Sequence, residues 1–327
     1  MKKSKNIVIT GGAGYIGTEV VKTFLKGRDF SQVIIFDNFS KGRIENIGYL
    51  KEAYPKRLFI EKVDIRDKKQ IESLIKKYKP TTVAHLAAIV DAFETNRAGK
   101  DLECEEVNHV AASNFAQICK KNGVKDFIFQ STVSLYSRGK DLKEEAPKEP
   151  LSTYGRSKMQ AEKKILKLND KNFSVCVLRP ATAVGYNSGF RYETIINRSC
   201  IRAVYGISER YFESAMNSPK SYLDIKDNAN AILFALKNMK KMKSDVYNVS
   251  SFNTTLRDVA SLIEKHLGKK FKYDVVLEKS INQQVYTVSS EKIRSIGFKP
   301  EGNINSIIKS EVDGVTKEKK SIAKRNL

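Results

Sequence analysis

The sequence predicts an α/β protein, a doubly wound parallel sheet with a smaller α/β portion toward the C-terminus. Three observations carry that prediction. Seven short apolar runs rich in β-branched residues recur along the chain: Asn6–Thr10, Gln32–Asp37, Leu58–Asp64, Thr81–Ala87, Asp126–Thr132, Phe173–Pro180 and Asp245–Ser250. Amphipathic stretches separate them, and that alternation makes βαβ units with right-handed crossovers and a sheet covered on both faces. The length of 327 residues fits about two domains, or one large α/β unit, at roughly 150 residues each.

The first run leads into Gly11-Gly12-Ala13-Gly14-Tyr15-Ile16-Gly17, and a helix is expected from about Tyr15. Lys68–Tyr78 reads as a helix because Ile71, Leu74 and Ile75 share one face and Asp67 suits the N-cap. Asp101–Lys121, Thr153–Leu168, Asp224–Asn238 and Thr255–Leu267 show the same kind of period. Between Gly185 and Lys220 the period weakens and Arg, Tyr, Asn and Ser dominate, so an insertion covering a ligand is expected there instead of a core element. The polar, basic tail after Val315 is expected to fray. The division expected is a first domain over 1–183, taking in 221–252, a second portion over 184–220 and 253–316, and a basic tail over 317–327.

Composition narrows the classes. Hydrophobic residues make up 41% and charged residues 29%, ordinary for a chain that buries a core. No apolar run approaches the roughly 18 residues of a membrane span, and Ile7-Val8-Ile9 is too short for a signal-peptide core. Four cysteines without CxxC spacing and three histidines argue against a metal site or a disulfide scaffold, so a cytoplasmic protein with reduced thiols is expected. The net charge of +22 is unusual. Its lysines spread along the whole chain without interleaved aromatics, which reads as solvated faces, with steering of an anionic substrate as the alternative. Nucleic acid is not an expected partner.

Two motifs carry chemistry. The glycine cluster sits between a strand and a helix, where glycine permits a tight turn and lets backbone N–H groups approach a pyrophosphate. That is the fingerprint of a Rossmann-type dinucleotide site. Asp37 ends the second strand and is placed to accept both adenosine ribose hydroxyls and repel a 2′-phosphate, favouring NAD; Lys41 and Arg43 offer the opposite charge and keep NADP open. Asp64 and His85 end further strands, His85 reading either as a ligand-end residue or as a packed loop histidine. The second motif is Tyr154-x-x-x-Lys158. Residues four apart share a helix face, and a cation near a phenol lowers its pKa, making Tyr154 a usable general acid and base. Ser131, Thr132 and Ser134 all offer a hydroxyl beside it.

Together these residues resemble the extended short-chain dehydrogenase/reductase superfamily, in its nucleotide-sugar epimerase/dehydratase branch. Thr10–Gly17, Asp37-Asn38, Asp64-Ile65, His85–Ala88, Asn108, Ser131–Tyr136, Leu178-Arg179-Pro180 with Gly185, Tyr222–Asp227 and Ile296–Pro300 all match family landmarks. The resemblance implies NAD contacts at Gly11, Gly14, Tyr15, Ile16, Gly17, Asp37, Asn38, Asp64, Ile65, Leu86, Ala87, Ala88, Asn108, Tyr154 and Lys158. It places the catalytic hydroxyl on Thr132, beside Tyr154 and Lys158. It implies a nucleotide-sugar substrate, a homodimer and redox chemistry at C4, with 4-epimerisation first and a 4-dehydrogenase or 4-ketoreductase as the alternative. A non-catalytic dinucleotide sensor is the further rival. The chain departs from the family where substrate binds: the asparagine usual near Thr182 is missing, Lys220 replaces an arginine, and no arginine–acid pair is evident around Gln283–Ser290. Thr182, Arg191, Asn197 and Lys220 are the substrate-binding candidates, with Arg198 a further polar residue; this stretch also has some similarity to heptose-nucleotide 4-dehydrogenases.

Overall fold

The computed structural model describes residues 5–90, 100–277 and 286–325. Seven parallel strands form its central sheet: β1 (Asn6–Thr10), β2 (Gln32–Asp37), β3 (Leu58–Lys62), β4 (Thr82–His85), β5 (Asp126–Gln130), β6 (Ser174–Pro180) and β7 (Asp245–Val249). Their spatial order is β7-β6-β5-β4-β1-β2-β3. The chain winds outward from β1 to β3, then crosses to β4 on the other side of β1. The crevice where winding reverses opens at the carboxyl ends of β1 and β4, the place where open α/β sheets bind ligands. All seven strands fall inside the apolar runs, most of them shortened at an end.

Strand periodicity sorts the core. Ile7 and Ile9 face helices Tyr15–Lys26 and Ile225–Lys237, and Val8 between them faces Lys68–Tyr78 and Ala112–Lys121. Both faces are fully buried, which is why the strands read as continuous apolar runs. A third core lies beyond the sheet's carboxyl edge, built from Ile196, Cys200, Tyr211, Tyr222, Val259, Ile263, Ile308 and Val312. A three-stranded sheet accompanies it, with Lys220–Asp224 between Thr182–Val184 and Phe252–Thr254.

Three expectations change. The 185–220 region holds a helix, Ile195–Tyr205, that packs Ile196, Cys200, Ala203 and Val204 into this third core. Its period was masked because polar Asn197 and Ser199 are buried on the same helix. The described part of the tail is helical: helix Ile304–Arg325 runs into it from a stretch where Ile308, Val312 and Val315 are buried one turn apart. Lys319 fixes it further, donating to Val204 O at 3.1 Å. The 101–121 stretch is helical but interrupted by a π-helical segment, Glu106–Ala111. All four cysteines are free and buried. Among the described residues no helix is long and apolar enough to cross a membrane.

Candidate active site

The glycine turn follows β1. Gly11 has φ +68°, and a Cβ there would lie 2.9 Å from Ala87 N and Cα, so glycine is needed twice over. A Cβ at Gly17 would sit 2.0 Å from Gly11 O, which fixes how closely the helix enters the turn. Gly14 is the N-cap of helix Tyr15–Lys26 and no side chain caps it. A Cβ at Gly14 would meet only Gly11 O, at 3.4 Å. The first-turn N–H groups are thus left without a side-chain cap beside a glycine turn, and the residues present fit a dinucleotide's pyrophosphate. Tyr15 and Ile16 are half-buried in that first turn.

Asp37 closes the other side of the cradle. Its carboxylate accepts from Ala13 N and Phe39 N, each at 2.9 Å. Burial pushes its pKa up, and those two N–H groups pull it back. Asn38 donates to Asp64 Oδ2 at 2.8 Å, linking the ends of β2 and β3. Arg66 holds the Asp64 carboxylate at 2.8 and 2.9 Å and draws its pKa down to about 2. Ile65 is buried beside it.

After β4, Leu86 N and Ala87 N donate to Thr10 Oγ1 at 3.0 and 3.1 Å, setting the 86–88 backbone against the glycine turn. Thr10 then gives its own proton to His85 Nδ1 at 2.8 Å, leaving the proton of neutral His85 on Nε2. His85 lies among Phe115, Phe127 and Phe129, and burial lowers its pKa to about 3. It is the packed histidine, not a ligand-end group. Asn108 sits in the π-helical segment, wholly buried. It accepts from Ile89 N at 2.8 Å and donates to Ile89 O at 2.9 Å. Its side chain thereby holds the loop after β4.

The three hydroxyls after β5 separate cleanly. Ser131 donates to Glu162 Oε2 at 2.9 Å. Thr132 Oγ1 accepts from Ser134 N at 3.0 Å, and its hydroxyl lies near enough to the Tyr154 phenol to lower that group's pKa. Between Thr132 and Ser134, Val133 O accepts from Tyr286 OH at 2.7 Å. Gly155 makes the Tyr154 contact attainable, since a Cβ there would lie 2.5 Å from Ser134 O. Ser152 caps the catalytic helix, accepting from Gly155 N at 3.1 Å.

Burial raises the Tyr154 pKa, and the Thr132 hydroxyl and the Arg191 charge lower it. The expected pull from Lys158 is not among these forces. Lys158 is buried with its Nζ 4.4 Å from the centre of the Phe129 ring, and desolvation takes its pKa to about 7. Glu162, one turn past Lys158, favours the charged ammonium. Sequence reasoning missed Glu162, although 154, 158 and 162 form one helical stripe. Arg179 grips the same carboxylate, with Nε at 3.0 Å from Oε2, and also donates to Tyr136 OH at 2.7 Å.

The substrate candidates scatter. Thr182 is half-buried on its strand, in register with Tyr222. Arg191 donates to Val90 O at 3.1 Å and pairs with Glu193 at 3.4 Å, and its charge lowers the Tyr154 pKa from a distance. Asn197 is buried behind it, donating to Arg191 O at 2.9 Å and to Tyr15 OH at 3.3 Å. Lys220 is half-buried, and burial lowers its ammonium with no opposing carboxylate among the described residues. Arg198 turns away to pair with Glu209 at 2.9 Å. Asp91 and Glu94, two acids in the sequence shortly after β4, lie outside the described residues.

A dinucleotide turn, a tyrosine–lysine helix and a hydroxyl at the end of β5 define an NAD-linked α/β oxidoreductase. Residues 7–250 match the NAD dependent epimerase/dehydratase family, and the chain belongs to it. It is accordingly an NAD-dependent enzyme of the superfamily its motifs resemble. UDP-glucose 4-epimerase 2 of Arabidopsis thaliana is 25% identical over 330 residues, covering 93% of each chain. UDP-arabinose 4-epimerase 1 of the same organism is 26% identical, over 82% of this chain and 69% of its own. Among solved structures, the UDP-Glc/GlcNAc 4-epimerase of Campylobacter jejuni superposes with a TM-score of 0.82 at 26% identity, covering 96% of this chain and all of its own.

Proposed function

We propose that this enzyme inverts C4 of a UDP-linked sugar. The observation that carries the reading is the Thr132–Tyr154 hydroxyl pair at the carboxyl end of β5, followed by Val133 and Ser134 where loss of water would call for an acid. NAD, when bound, supplies a hydride acceptor beside that pair. Gly11, Gly14, Tyr15, Ile16, Gly17, Asp37, Asn38, Asp64, Ile65 and the 86–88 backbone hold it in this reading, with Lys158 at its reactive end. Tyr154 takes the proton of the C4 hydroxyl while Thr132 fixes that oxygen. The same phenol returns a proton after the sugar has turned in the pocket. Arg191 favours the phenolate, with Asn197 bracing it from behind; Lys220 takes the place of a diphosphate-gripping arginine, and Thr182 lines the sugar side.

Cofactor binding is assigned to 1–183 with 221–252, and substrate binding to 184–220 with 253–316. The reading further includes a cytoplasmic homodimer without nucleic-acid partners; Leu102 and Val110, 77% and 44% exposed on the 100–121 helical stretch, offer an apolar face for the second subunit. Incubation with a panel of UDP-sugars, followed by mass and NMR, tests the reaction. Unchanged mass with inverted C4 is expected. Loss of two hydrogens with NADH appearing would make the enzyme a 4-dehydrogenase, and a product lighter by water or carbon dioxide would overturn the C4-only chemistry.

A further inference from the structure

The segment 185–190 lies across the first turn of helix Tyr15–Lys26. Asn187 Nδ2 donates to Tyr15 O at 3.0 Å, and Ser188 Oγ donates to Asn46 O at 2.8 Å. A Cβ at Gly189 would come within 3.2 Å of Gly14 O and Tyr15 Cα. This strip of chain therefore passes in contact with the glycine turn itself.

The strip is anchored from far along the sequence. Glu311, on helix Ile304–Arg325, is wholly buried, and its Oε1 accepts from Gly185 N at 2.8 Å. The Tyr15 hydroxyl donates to Gly185 O at 2.6 Å, so both polar groups of that residue are held. Gly185 has φ +128°, a backbone conformation that other residues rarely take. The same helix secures the next residue: Gly314 leaves room for the Tyr186 ring, and Glu318 accepts from Tyr186 OH at 2.6 Å. Among the described residues Glu311 Oε2 faces nothing stronger than the Cys200 thiol, and the other titratable groups around the carboxyl are Asp224 and Tyr15, none of them cationic. A buried carboxyl with one unmatched oxygen costs stability. Holding Gly185 in place is a use that accounts for it.

We propose that Glu311 is a positioning residue for the dinucleotide, fastening Gly185 to the C-terminal helix and thereby setting the rate at which NAD leaves. The proposal rests on the glycine turn being the NAD site. Its test is release of NAD from the purified holoenzyme, measured as NAD retained after rapid desalting, with the melting temperature recorded alongside. Glu311→Ala is to release NAD about tenfold faster, the equivalent of one lost hydrogen bond to a charged group. Glu311→Gln keeps an acceptor for Gly185 N–H and restores slow release. Release from Glu311→Ala at the wild-type rate, or from Glu311→Gln as fast as from Glu311→Ala, overturns the proposal. If Glu311→Ala does not fold, Tyr186→Phe removes the helix's other bond to the strip, and an unchanged release rate then overturns it. A wild-type protein that holds no NAD overturns the site assignment as well.

Discussion

The two halves of the site are held by different means. At the dinucleotide end the determinants are backbone: the positive φ of Gly11, the close approach at Gly17, and the N–H groups of Ala13 and Phe39 on Asp37. At the proton-transfer end they are side chains drawn from distant segments, with Ser131, Glu162 and Arg179 sharing one buried carboxylate. The first half is a local steric solution and tolerates few residue types. The second is a charge network, whose parts matter only when all are present. A buried ion pair adds little net stability, but removing one partner leaves an uncompensated charge.

The sharpest way to separate the halves is Tyr154→Phe. It deletes one hydroxyl and almost no volume, so NAD affinity and folding should stay as they are. Turnover should fall by about 10²–10⁴, the range of general acid–base catalysis. Steady-state rates on the true substrate decide it, and retention of a third of the wild-type rate would mean that another group is the base.

Next in size is Arg179→Met. It strands Glu162 and should cost about 3–5 kcal/mol in urea unfolding. Adding Glu162→Leu should recover most of that stability. Recovery of stability without recovery of rate would show that the network is kept for orienting the Tyr154 helix.

The smallest effect belongs to the dinucleotide end. Wild-type protein should bind NAD at least about tenfold more tightly than NADP, or about 1.4 kcal/mol, because a 2′-phosphate would meet the Asp37 carboxylate. Asp37→Asn should bring the two affinities together while preserving a bond to Ala13 N. Equal affinities in the wild type, read by titration calorimetry, would mean that Lys41 and Arg43 govern that pocket.

The sequence by itself determined what short-range rules govern. The succession of strands and helices follows from alternating runs, the glycine turn from Gly11, Gly14 and Gly17 between a strand and a helix, and the Tyr154–Lys158 stripe from helical spacing. Tertiary structure decided everything that depends on which distant segments meet. It set the Lys158 ammonium against the Phe129 ring, and it spent Asn108 on Ile89 and Arg198 on Glu209. It turned an apparently loose tail into the helix whose Glu311 grips Gly185 across 126 residues of chain. Periodicity and steric rules act over a few residues. Burial and charge pairing act through space, and a side chain's pKa and partners exist only once the fold has chosen its surroundings.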